Sequence, residues 1–95
     1  MNVIFASKLP VDRSDPGVKA LRLVNRERGA KTMTAGVATF EPGAAIPLHT
    51  HNCEETVIIV EGRATAHVDE QSFQLQKYDT TIVPPGTIVV SYFWS

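Results

Sequence analysis

Residues 43–62 read GAAIPLHTHNCEETVIIVEG, and this stretch decides the fold. Glu41-Pro42-Gly43-Ala44 is turn chemistry, Ile46 to His51 alternates as a strand does, and Glu61-Gly62 is a second turn. Between them, Val57 to Val60 is apolar at every position, the pattern of a strand buried on both faces. His49 and His51 stand two apart. Alternate side chains of a strand share a face, with bases about 7 Å apart, so both imidazoles can address one ion. Glu55 follows four residues later, with the same parity provided the strand continues. Two histidines and a carboxylate are the donor set of a facial metal triad, which leaves coordination positions open. Taken singly, a histidine in a β-protein is usually structural and a glutamate usually a solvated charge. The joint spacing between two glycine turns carries the metal reading.

Outward from this stretch the chain reads as short strands divided by turn residues, with no good helix. Met1 to Phe5 suits an opening edge strand, and Leu9 to Gly17 is a loop rich in Pro, Asp, Ser and Gly. Val18 to Val24 is a strand with Leu21 and Leu23 on one face, Arg26 to Lys31 a polar turn, and Met33 to Phe40 a strand. Arg63 to Asp69 alternates strictly, with Ala64, Ala66 and Val68 on one face and Arg63, Thr65, His67 and Asp69 on the other. Phe73 and Leu75 repeat that pattern. Thr80 to Val83 is a strand, Pro84-Pro85-Gly86 a rigid turn, and Ile88 to Trp94 a final apolar strand. Seven or eight strands at this spacing predict an all-β sandwich or barrel of the jelly-roll kind.

The string Gly43-x5-His49-x-His51-x3-Glu55-x6-Gly62 resembles the first cupin motif at every anchor. Asp79 and Pro84-Pro85-Gly86 are similar to the centre of the second motif, with Tyr78 in place of its opening glycine. The resemblance, to the small single-domain cupins of the conserved-barrel type, runs from about Val18 to about Val90. It implies an all-β, cupin-type double-stranded β-helix, that is, a jelly-roll β-barrel. Residues 1–95 then form a single cupin domain: an arm and loop over 1–17, a barrel core over 18–90 and an apolar end over 91–95.

The resemblance implies His49, His51 and Glu55 as metal ligands, with Cys53 as an additional candidate, since a thiolate is a soft donor. As a small buried filler, Cys53 has a competing role. The implied cofactor is a divalent metal, and iron, manganese, nickel and zinc are not distinguished. Val57, Ile59, Ala64 and Ala66 would line the barrel. Val89 stands where such cupins supply a fourth ligand, a histidine, and can only join that lining; Phe93 stands where the motif has asparagine. Three outcomes stay open. Either three ligands and an added water hold the ion, or it is held weakly or not at all, or a ligand comes from elsewhere, a partner subunit included. Glu54 has the wrong parity, and His67 lies on the polar face of its strand. The chain also stops at Ser95, before the closing strands that cupins of this class carry.

Bulk properties set the outer limits. A chain of 95 residues makes one domain. A hydrophobic fraction of 43% is that of an ordinary globular protein. The formal net charge of −1 gives no electrostatic case for nucleic acid. Basic residues gather at Arg22, Arg26, Arg28 and Lys31, which reads as a solvated strand and turn, with an anion or partner patch as the rival. One cysteine excludes an intramolecular disulfide. No signal-peptide pattern and no apolar run of membrane-spanning length occurs, so a cytoplasmic location is expected. Free sheet edges and the apolar end predict a homodimer formed by strand pairing or exchange.

Two functions compete. One is a metal-dependent small-molecule enzyme, whose reaction the resemblance does not choose. The other is a non-catalytic ligand- or metal-sensing module with a degenerate metal site. No catalytic acid–base pair beyond the ligands is evident.

Overall fold

Eight strands carry the chain: β1 (Val18–Val24), β2 (Ala35–Phe40), β3 (Ala45–Leu48), β4 (Glu55–Ile58), β5 (Ala64–Val68), β6 (Gln71–Leu75), β7 (Thr80–Val83) and β8 (Val90–Trp94). The computed structural model describes residues 1–48, 52–68, 70–86 and 90–94. Among them are two single 3₁₀ turns and no α-helix, so the architecture is all-β. The chain divides into two compact units, residues 1–40 and 41–95.

In the first unit β1 and β2 pair antiparallel, from Val18 opposite Phe40 to Val24 opposite Ala35, with an irregularity between Arg22 and Val24. Gly36 is fixed by close approach: a Cβ there would lie 2.6 Å from the Leu21 carbonyl oxygen. The link between the strands holds a 3₁₀ turn, Arg26–Arg28, capped by Asn25, whose side chain accepts from the Arg28 N–H at 3.1 Å. The expected opening strand at Met1–Phe5 does not form. That stretch finds no ladder partner among the described residues, all five of its residues are exposed, and the chain instead closes a 3₁₀ turn at Ala6–Lys8. Behind it, Asp12 makes an isolated bridge to Ala20, with both backbone bonds at 2.9 Å.

The second unit holds a four-stranded sheet, ordered β3-β8-β5-β6, and a two-stranded ribbon, β4-β7; all pairings are antiparallel. The core lies between them. From the sheet, Ala66 and Tyr92 are buried, with Ile46, Val68 and Leu75 packed beside them. From the ribbon come Val83, buried, and Val57, half-buried. Ala66 stands opposite Tyr92 on one side and Phe73 on the other, so its small side chain makes room for the Tyr92 ring.

The expectation of a doubly buried strand at Val57–Val60 is corrected. Strand β4 ends at Ile58, and burial alternates along this stretch: Ile59 is buried and Val57 half-buried, whereas Ile58 is 54% exposed and Val60 61%. A continuous apolar run marks two covered faces only if a second layer lies outside, and in this unit the outer face of the two-stranded ribbon is open.

Candidate functional site

Glu55 opens β4 and pairs with Val83 of β7. Directly opposed residues share a face. Since Val83 belongs to the core, Glu55 sits on the core-facing side of the ribbon, half-buried, with Thr56 outward and exposed beside it. Within the described residues the single ion pair is Arg22–Asp12, in the other unit, so no such pair reaches the Glu55 carboxylate.

His49, His51 and Val89 lie outside the described residues. Their flanks are described. Strand β3 ends at Leu48, Asn52 and Cys53 form a bend, and β4 begins at Glu55 in a different sheet. The condition on which Glu55 shares the histidines' parity, one strand running on to it, is not met. The shared-parity argument for Glu55 falls with it, and the carboxylate belongs to the ribbon facing β3 rather than to an extension of β3. Cys53 is free and exposed in the bend, and Glu54 is exposed. Among the described residues no group of three or more His, Cys, Asp and Glu side chains comes together as a metal cluster.

The residues read as barrel lining divide as follows. Ala64, Ala66 and Ile59 are buried, Val57 is half-buried against the core cluster, and Val89 is not described. His67 is exposed on the face of the sheet opposite Ala66. Its Nδ1 lies 2.8 Å from Ser72 Oγ, and its ring meets Phe93 edge-on with centroids 5.0 Å apart.

Sequence reasoning passed over one polar feature. The Tyr92 hydroxyl of β8 is hydrogen-bonded to Thr81 Oγ1 of β7, joining sheet to ribbon inside the core. The signal was present, since a buried tyrosine needs a partner for its hydroxyl. Thr81 lies opposite Val57, so it is the diagonal neighbour of Glu55 on the same face.

The basic cluster divides between a strand and a turn. Arg22, on β1, is held by Asp12 at 3.0 Å, whereas Arg26 and Arg28 belong to the 3₁₀ turn. Hydrogen bonds from Ser14, then the Arg22 guanidinium, hold the Asp12 carboxyl down at about 2. An open cleft of about 450 Å³ lies in the first unit, lined among others by Ile4, Leu23, Val24 and Arg28; it contains no motif residue.

Comparison with known proteins places these features in a family. The Arabidopsis thaliana protein Auxin-binding protein 1 is 32% identical over 66 residues, 67% of this chain and 33% of that protein. Auxin-binding protein 5 of Zea mays is 35% identical over 46 residues, 48% of this chain and 31% of that one. The chain thus spans about a third of the length of these relatives. Among solved structures, the polyketide cyclase RemF from Streptomyces resistomycificus superposes with a TM-score of 0.80 at 15% identity, over 100% of this chain and 70% of that one. A predicted oxalate decarboxylase from Thermotoga maritima gives 0.74 at 21% identity, over 96% and 85%. At these identities the two likenesses speak for the fold alone. The cupin-domain family model matches residues 36–88, which run from β2 through both glycine turns and the Pro84-Pro85-Gly86 turn, and with the all-β strand order this makes the chain a member of the cupin family.

Proposed function

We propose that this chain is a small-molecule-binding cupin whose ligand is anchored by a divalent ion on His49, His51 and Glu55. The observation that carries the reading is Glu55. A carboxylate on a core-facing position of the ribbon, outside any ion pair of the described residues, is a donor free to take a cation. Carboxylate plus imidazole is a donor set suited to first-row divalent ions. The residues present therefore fit the group, and the ion would supply a Lewis-acidic point that attracts an anionic ligand. Because the curated relatives are auxin-binding proteins by name, a small organic acid of the auxin kind is the ligand class to test first.

Val89 in place of a fourth histidine favours binding over turnover. Losing one protein ligand of four weakens retention of the ion and leaves a further coordination position to water or ligand. The reading takes residues 1–95 as one cupin domain, with Cys53 outside the ligand set because it is exposed.

The test is calorimetric titration of the protein with Zn²⁺, Mn²⁺ and Ni²⁺, followed by titration of the loaded protein with indole-3-acetate. The expected result is saturable metal binding that Glu55→Gln and His49→Ala each weaken by more than about 100-fold, the scale at which even supporting residues of metal sites act. Acid binding should then require the metal. Metal binding that survives both substitutions overturns the proposal. Acid binding by metal-free protein favours the sensing-module alternative.

A further inference from the structure

We propose that the Thr81 hydroxyl, set by Tyr92, is the hydrogen-bond donor that selects for a carboxylate in the bound ligand, a role that rests on the small-acid site proposed above. Tyr92 Oη and Thr81 Oγ1 are bonded to each other, and each hydroxyl carries one hydrogen. The bond between them consumes one of the two. The pair therefore keeps a second hydrogen, and among the described residues neither hydroxyl has a further partner. For joining sheet to ribbon one hydrogen is enough. The other is left for an acceptor that enters from outside.

That hydrogen stays on Thr81. A phenol is a stronger acid than an aliphatic alcohol and so the better donor, which makes Tyr92 donate and Thr81 accept. Burial favours the same direction. Tyr92 is buried in the cluster with Ala66 and Val83, whereas Thr81 is half-buried and reachable. Accepting from Tyr92 polarises the Thr81 O–H and strengthens the next bond it makes. Branching at Cβ limits the Thr81 rotamers, so the donor is held rather than free to swing.

The position suits a carboxylate. Thr81 lies on the core-facing side of the ribbon, opposite Val57 and two residues from Val83, neither of which has a side-chain acceptor. Glu55, the proposed ion ligand, is its diagonal neighbour on that face. A ligand carboxylate has two oxygens, one for the ion and one for the Thr81 hydrogen. An alcohol of the same length has one oxygen and can fill only one of these contacts. Without the ion the ligand carboxylate would meet Glu55 as a like charge, which a single hydroxyl does not offset. Thr81 is thus the specificity-determining donor, and Tyr92 the residue that positions it.

The test is calorimetric titration of the protein, saturated with Zn²⁺, with indole-3-acetate and with tryptophol, the alcohol of the same ring and chain length. Thr81→Val keeps the shape and removes the donor; Thr81→Ser keeps the donor. Each variant is first checked for native circular dichroism. Thr81→Val should weaken the acid by about 10-fold or more and the alcohol by less than about 2-fold, while Thr81→Ser should hold the acid within about 3-fold of the parent. Tyr92→Phe should give an acid-to-alcohol preference between those of the parent and Thr81→Val, and it carries the test alone if Thr81→Val does not fold. An unchanged preference in Thr81→Val or in Tyr92→Phe overturns the proposal, and so does equal weakening of both ligands, the mark of loosened packing. Weaker Zn²⁺ retention by Thr81→Val with acid binding like the parent's also overturns it, because the hydroxyl would then serve Glu55. The ion reading fails separately. If the metal-free parent binds the acid equally well, the ion is not the anchor, and Thr81→Val against Thr81→Ser still reads the donor. A parent that binds no acid with or without Zn²⁺ overturns the role of Thr81 even where metal binding stands.

Discussion

Removing the Tyr92 hydroxyl should cost more than its size suggests. Tyr92 is 2% exposed, and its hydroxyl meets that of Thr81 across the space between sheet and ribbon. Tyr92→Phe keeps the ring against Ala66 and Val83 and deletes one oxygen. A neutral hydrogen bond contributes about 0.5–1.5 kcal/mol net, and stranding its partner adds part of a desolvation penalty of about 1–3 kcal/mol. Thr81 is half-buried, so some of that penalty is relieved by water, and about 1.5–2 kcal/mol is expected. With a urea dependence of about 1–3 kcal/mol per molar, the unfolding midpoint falls by about 1 M. Thr81→Val, nearly the same shape, should cost a similar amount by stranding the Tyr92 hydroxyl. The double variant replaces both partners by apolar groups, which is close to neutral for the pair, so it should be no less stable than the worse single variant. The double-mutant cycle then gives a coupling of about 1 kcal/mol or more. If the two single losses simply add, the hydroxyls do not act as a pair and the reasoning fails.

Further outcomes follow from other positions. Gly36→Ala should lose about 1–3 kcal/mol in the same denaturation assay, because the added methyl meets the Leu21 carbonyl at 2.6 Å and backbone must shift. Tyr78→Gly should gain up to about 1 kcal/mol: a left-handed side-chain residue costs about 1–2 kcal/mol, of which the greater freedom of glycine in the unfolded chain takes back part. Asp12, held at about 2 against an ordinary 3.8, adds stability that is complete above pH 3.8 and fades as the pH falls through about 2. The stability difference between Asp12→Asn and the parent should therefore narrow steadily as a denaturation series is carried from about pH 5 down to about pH 2; a difference that stays constant over that range refutes the assignment. Zn²⁺ at about 100 times its dissociation constant should raise unfolding stability by about 2.7 kcal/mol, an increment that a chelator removes and Glu55→Gln abolishes.

Much of the fold was legible because its signals are local. Val18–Val24 and Thr80–Val83 have the bounds that alternation and turn residues predicted, and the alternation of Arg63–Asp69 put Ala64 and Ala66 on the buried face. The misreadings concern what lies beyond a strand. Ile58 and Val60 are as apolar as Val57 and Ile59, and whether a second layer covers them is a property of the sheet's neighbours, not of the run. Met1–Phe5 has strand-like composition but no ladder partner among the described residues. Tyr78 was visible in the sequence as a departure from a motif glycine. The backbone supplies the physical reason for that glycine, since the residue sits at φ 70° where the chain turns from Gln76 into β7. The Asp79 side chain accepts from Gln76 N–H at 2.9 Å, and the Thr80 hydroxyl donates to the Tyr78 carbonyl at 3.0 Å. These bonds hold the turn with the wrong residue in it.

The candidate site was legible as a set of residue types and not as a geometry. The spacing His49-x-His51-x3-Glu55 puts three ligands on one face only if one strand runs through all of them. The described residues place Ala45–Leu48 in the four-stranded sheet, a bend at Asn52–Cys53, and Glu55 at the start of a strand in the opposite ribbon. An ion shared by this set would therefore tie the segment that follows β3 to the opposite ribbon. Two latches would then join the same layers, the Tyr92–Thr81 hydroxyl pair within the core and the ion near Glu55, with Thr81 and Glu55 diagonal neighbours on one face. Coupling between them is the consequence. Whatever loosens β7 against β8 should weaken metal binding, so Tyr92→Phe, which removes no ligand, should still lower Zn²⁺ affinity measurably. An affinity indifferent to that substitution would mean that the ion is held by the 49–55 segment alone.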